Sequence, residues 1–107
     1  MKRYGMVIGL KPEHEAAYRK AHAAVPEAIL RTIKECNIRN YSIYLRNSVL
    51  YSYFEYTGVD YAADMEKMAA DPPTQEWWSR MGPMQAPLED RAPGEWWAAM
   101  EEVFHQD

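Results

Sequence analysis

The chain predicts an α+β domain in which one antiparallel sheet carries its helices on a single face. Three observations predict it. The N-terminal segment alternates with a period of two, and a tight Asn47-Ser48 turn joins two aromatic segments of the same period. The stretches before and after that pair place apolar residues at helical spacing. With 107 residues, 48% of them apolar, and no Gly/Ser/Pro-rich tract, residues 1–107 form one domain able to bury one core.

Tyr4, Met6, Ile8 and Leu10 alternate with Gly5, Val7 and Gly9, which reads as a strand. The two glycines share a face with Val7 and leave room there for close approach by a helix or another backbone. Pro12 opens a first helical turn, and Glu13 and Glu15 suit its positive end. That helix runs to about Ala24, with Tyr18, Ala21, His22 and Val25 at helical spacing. Pro26 kinks it or starts a second helix, whose buried stripe is Ile29, Ile33 and Cys36, and Asn37 ends it. Residues 40–46 and 49–57 form a hairpin. Asp60 caps a helix over 61–70 with Tyr61, Met65 and Met68 inward. After the break at Asp71-Pro72-Pro73, Thr74 caps a short helix to about Met81. Residues 82–95, with three prolines and two glycines, read as an irregular loop. The tail from Trp96 suits either a helix or, at Val103-Phe104-His105, a closing strand. The order β, α, β, β, α and a final β is the split βαβ, ferredoxin-like pattern.

Composition excludes several function classes. Net charge is −4 and the twelve Lys and Arg residues are scattered, so no basic stripe awaits a nucleic acid. The N-terminal apolar run, broken by Gly5 and Gly9, is too short for a signal peptide or a membrane span. Cys36 is the only cysteine, which excludes an internal disulfide and a Cys-based metal site and fits a reducing cytoplasm. No phosphate loop or nucleotide fingerprint occurs. His14 and His22 lie two helical turns apart, too far to ligate one metal from one helix.

Four Trp and eight Tyr against two Phe supply rings with polar tips, suited to a wet cavity as well as to a core. Tyr18 and His22, four residues apart, project from one helix face. Histidine alone titrates near neutral pH without assistance, so His22 is a candidate acid/base, although a hydrogen-bonded packing role fits the same position. Trp77 and Trp78 diverge by about 100° on their helix, so one can pack inward while the other lines a cleft. Tyr41, Ile43 and Leu45 share one strand face. Tyr51, Tyr53 and Glu55 share a face that suits a cavity wall or a polar interface.

These residues resemble the L-rhamnose mutarotases. The resemblance runs through Leu10-Lys11-Pro12, then Glu15-Ala16-Ala17-Tyr18-Arg19-Lys20-Ala21-His22 and Pro26-Glu27. It continues through Asn40-Tyr41-Ser42-Ile43-Tyr44-Leu45, Trp77-Trp78-Ser79-Arg80-Met81 and Glu102-Val103-Phe104-His105. It implies a homodimeric α+β barrel of two ferredoxin-like sheets, a strand in the tail, and a sugar as substrate. By position it implies His22 as the acid/base and Tyr18, Tyr41, Trp77 and Trp78 as pocket residues. The implied reaction interconverts the α and β anomers of a 6-deoxyhexose without cofactor or metal. Two segments depart from the family pattern: Val25 stands where a Trp is usual, and Ala86-Pro87-Leu88-Glu89-Asp90-Arg91-Ala92-Pro93 replaces an Asn-Pro-Asp-Asn-Ser-Pro-type loop. That loop lies where the sugar would be covered, which brings in L-fucose beside L-rhamnose. The alternatives are a cofactor-independent monooxygenase on the same barrel and a sugar-binding module without chemistry.

Overall fold

Period-two alternation decides which side of the sheet each residue meets. A computed structural model describes residues 1–107. Strand β1 (Lys2–Leu10) is central, flanked on one side by β3 (Val49–Tyr56) and then β2 (Ile38–Arg46). On its other side lie the short β4 (Gln85–Ala86) and β5 (Ala98–Met100). Every pairing is antiparallel. Helices α1 (Glu15–His22), α2 (Glu27–Glu35), α3 (Tyr61–Ala70) and α4 (Pro72–Met81) fill the connections.

The helix-covered face divides into two packed groups. Ile8, Leu10 and Leu50 from the sheet meet Tyr18, Ile29, Trp77 and Met81 from α1, α2 and α4. Ile38, Phe54 and Tyr56 meet Tyr61, Met65 and Met68 of α3. Burying each such large apolar side chain contributes about 1.5–3 kcal/mol. Tyr4 stacks on Tyr61 with ring centroids 4.4 Å apart, which ties α3 to β1. Cys36 is buried where α2 ends, and Asn37 follows at φ 65, the left-handed stop expected there.

Three details differ from the sequence expectation. The cap of α4 is Asp71, not Thr74. The Asp71 carboxylate accepts from the Thr74 backbone N–H at 3.2 Å, the Thr74 hydroxyl at 2.8 Å and the Thr32 hydroxyl of α2 at 2.9 Å. Pro72 then occupies the first turn, where its missing N–H costs nothing. The Thr74 hydrogen bond holds the Asp71 carboxyl below the usual carboxylate range.

The fourth strand is split rather than whole. Leu10 and Gly9 pair with Gln85 and Ala86, and Val7, Met6 and Gly5 pair with Ala98, Ala99 and Met100. One ladder position, Ile8, therefore separates two halves between which residues 87–97 make an excursion. The tail strand falls at Ala98–Met100, earlier than Val103-Phe104-His105, because those are the residues that reach β1. Residues 101–107 carry no regular structure and are exposed. An ion pair from Arg3 Nε to Glu102 Oε1, at 2.9 Å, falls two positions beyond the last β1–β5 pair, Gly5 with Met100, in the same register.

The third difference is a β-bulge in β2. Arg39 faces Glu55 and Ser42 faces Tyr53, so Asn40 and Tyr41 together oppose Phe54. Asn40 takes φ 50 to make the extra residue fit. Without the bulge, Ile38 and Tyr41 would point to opposite faces. With it, both join the helix side.

Candidate functional site

The site grows from α1. The turn at Pro12–His14 starts the helix early enough that Tyr18 and His22 fall on its sheet-facing side, one turn apart. Tyr18 is buried, and His22 is half-buried with its ring stacked on Tyr18 at 4.1 Å between centroids. Trp77 of α4 meets the other side of this pair edge-on, at 5.2 Å from the His22 ring.

One hydrogen bond decides what His22 can do. His22 Nδ1 lies 2.9 Å from the Tyr18 carbonyl oxygen. A carbonyl only accepts, so Nδ1 carries the hydrogen and the neutral ring presents a bare Nε2. The helix thus fixes the tautomer through its own backbone.

Tyr41 approaches from the sheet. Its ring packs edge-on against Phe54 at 5.5 Å. The residue is 43% exposed at its outer side. Its hydroxyl nevertheless reaches deep among side chains, where burial, with the neighbouring Tyr18 and Tyr61 hydroxyls, pushes its pKa up to about 12. It is a proton donor or acceptor in hydrogen bonds, not an ionised base, at neutral pH. The bulge that aims it is held by the Glu55 carboxylate. That carboxylate accepts from Asn40 Nδ2 and from the Tyr53 hydroxyl, both at 2.7 Å.

Of the residues expected from the sequence, His22, Tyr18 and Trp77 come into direct contact, while the contact of the Tyr41 ring is with Phe54. Trp78 does not join them. It sits about 100° further round α4 and is 47% exposed, while Trp77 is buried. Sequence reasoning missed Gln85 and Trp96. Gln85 is buried, accepts from the Trp96 indole N–H at 2.7 Å, and places its Nε2 3.5 Å from the Tyr18 hydroxyl. No local signal marks a glutamine in a two-residue strand. Two surface grooves, of about 490 and 360 Å3, are lined by the 89–96 loop and by the outer seam of α1 with α4. His22, Tyr18 and Tyr41 line neither groove, whereas Trp77 borders the second. No three His, Cys, Asp or Glu side chains converge as a metal site would require.

Among known families, the one described as L-rhamnose mutarotase matches residues 3–106. The chain belongs to the L-rhamnose mutarotase family. The L-rhamnose mutarotase of Ligilactobacillus salivarius is 30% identical over 98% of this chain and 97% of its own. That of Lactiplantibacillus plantarum is 31% identical, with all of both chains covered. Among solved structures, L-rhamnose mutarotase from Formosa agariphila superposes with a TM-score of 0.78 at 19% identity. Tetracenomycin F2 cyclase from Streptomyces glaucescens does so with 0.69 at 15%. Both cover this whole chain and support the ferredoxin-like barrel architecture at the level of fold. With the family established, neither the L-fucose alternative nor the monooxygenase and binding-module alternatives are needed to account for this chain.

Proposed function

We propose that this mutarotase-family chain interconverts the α and β anomers of L-rhamnose with His22 as the proton-transfer residue. The observation that carries the assignment is the Nδ1 hydrogen bond to the Tyr18 carbonyl, which leaves His22 Nε2 bare beside the rings. Nε2 takes the proton from the anomeric hydroxyl. A donor beside it, the Tyr18 hydroxyl, gives its proton to the ring oxygen. The bond between the anomeric carbon and the ring oxygen breaks, and the anomeric C–O becomes a carbonyl. Rotation of the aldehyde and closure with the two roles reversed produce the other anomer. Tyr41 and Trp77 supply the remaining walls, polar tip and apolar edge respectively. Positioned acid/base groups contribute about 10²–10⁴-fold each, ample for a step that also proceeds slowly in water.

The test is saturation-transfer NMR on L-rhamnose, with L-fucose as the comparison. Added protein should speed exchange between the anomeric resonances of L-rhamnose in proportion to its concentration. Exchange at the spontaneous rate would defeat the reading.

A homodimer belongs to the same proposal. The sheet face away from the helices presents Tyr44 and Tyr51, 63% and 41% exposed, with Met100 at 41%. Val103 and Phe104 are exposed beyond it. A second copy of this chain would cover that surface. Sedimentation should give twice the 12.5 kDa of one chain, and a monomer at the concentration of the activity assay would overturn the assignment. No helix is long and apolar enough to cross a membrane, and the buried single thiol of Cys36 fits a cytoplasmic location.

A further inference from the structure

Gln85 is a buried polar side chain that joins the excursion 87–97 to the rings of α1. Its backbone pairs with Leu10 in β4, so its side chain is aimed by the sheet. Its partners fix which way its amide points. The Trp96 indole N–H, 2.7 Å from Oε1, can only donate, so the amide oxygen must face it. The NH₂ group then faces the Tyr18 hydroxyl at 3.5 Å, and Tyr18 must accept. The proton of Tyr18 is left without an acceptor in the protein. Were the amide reversed, the phenol would donate to Gln85 and its proton would be spent inside the fold.

We propose that Gln85, held by Trp96, is a positioning residue that keeps the Tyr18 hydroxyl a donor toward the ring oxygen of the sugar. The proposal rests on the proton-transfer reading of His22 and Tyr18 given above. It explains a symmetry in the site. The Tyr18 carbonyl makes His22 Nε2 an acceptor, and Gln85 makes the Tyr18 hydroxyl a donor, so ring opening finds one of each. Burial pushes the Tyr18 hydroxyl up and the Gln85 bond draws it back down, because an N–H aimed at the oxygen stabilises it as its proton leaves.

Three variants test this: Gln85→Met, Trp96→Phe and the double variant. Gln85→Met keeps length and the backbone pairing but removes both hydrogen bonds. It should lower kcat for anomer exchange by about three- to tenfold, the value of one oriented hydrogen bond, with KM little changed. Trp96→Phe should act in the same direction and less. The double variant should be no slower than Gln85→Met, since both act through one contact. In the sugar-free protein, the Trp96 side-chain ¹H–¹⁵N resonance should move in Gln85→Met. Wild-type protein that fails to speed exchange would overturn the proton-transfer reading and this proposal together. Active wild-type protein with an unchanged kcat in Gln85→Met, additive losses in the double variant, or an unmoved Trp96 resonance would overturn this proposal alone.

Discussion

His22→Ala should lower protein-catalysed anomer exchange by about 10²–10⁴-fold, a loss of about 3–5 kcal/mol of transition-state stabilisation. Far-UV circular dichroism and sedimentation should be unchanged. The fold survives because His22 is half-buried, so alanine opens a gap toward solvent beside Tyr18 and Trp77 rather than an enclosed cavity. What alanine removes is Nε2, together with a stacking partner for Tyr18 and Trp77. Those two losses are separable. In His22→Asn the side-chain NH₂ can still donate to the Tyr18 carbonyl in place of Nδ1, so local order is retained while the exchangeable site is gone. If Nε2 is the proton-transfer atom, Asn is nearly as slow as Ala. Wild-type exchange in His22→Asn would reduce His22 to a packing residue and move the chemistry to the tyrosines.

How far the sequence reached follows from how local each signal was. The helix at Tyr61–Ala70 was legible because its start and stop are both nearby: Asp60 accepts from the Ala63 N–H at 3.1 Å, and prolines follow Asp71. The pairing of Tyr18 with His22 was legible for the same reason, one helical turn being a property of the segment. The bulge at Asn40 was not. Tyr41, Ile43 and Leu45 keep their period, and nothing in it reveals that Ile38, out of phase, rejoins the same face. Nor was the split fourth strand, since β4 is two residues long and its partners lie on β1, far away in sequence. The choice between Trp77 and Trp78 belongs to tertiary packing. Adjacent positions on α4 carry identical side chains, and only the packing of α4 against the sheet, α1 and α2 decides which is buried. Gly5 and Gly9 lie between these cases. Their shared face told of a close approach, without saying by what.

Gly9→Ala should be the most disruptive small substitution on β1, while Gly5→Ala should be close to neutral. A Cβ built at Gly9 would stand 2.6 Å from the backbone oxygen of Ala86. Backbone cannot rotate aside, so β4 must move or part from β1. Overpacking of this kind costs about 1–3 kcal/mol, and for a domain of this size each kcal/mol lowers Tm by about 4–8 °C. At Gly5 the nearest atom is the Met100 terminal methyl at 3.3 Å, the free end of a flexible side chain. It can swing away at little cost. Thermal unfolding of the two variants side by side separates backbone crowding from mere loss of glycine, and equal Tm values would remove the argument. The consequence extends to the site, because Ala86 follows Gln85 directly. Displacing β4 carries the Gln85 amide away from Tyr18 and Trp96, so Gly9→Ala should also slow exchange at temperatures where it remains folded. A destabilised Gly9→Ala with wild-type turnover would mean that the Trp96 contact, rather than the β4 pairing, seats Gln85.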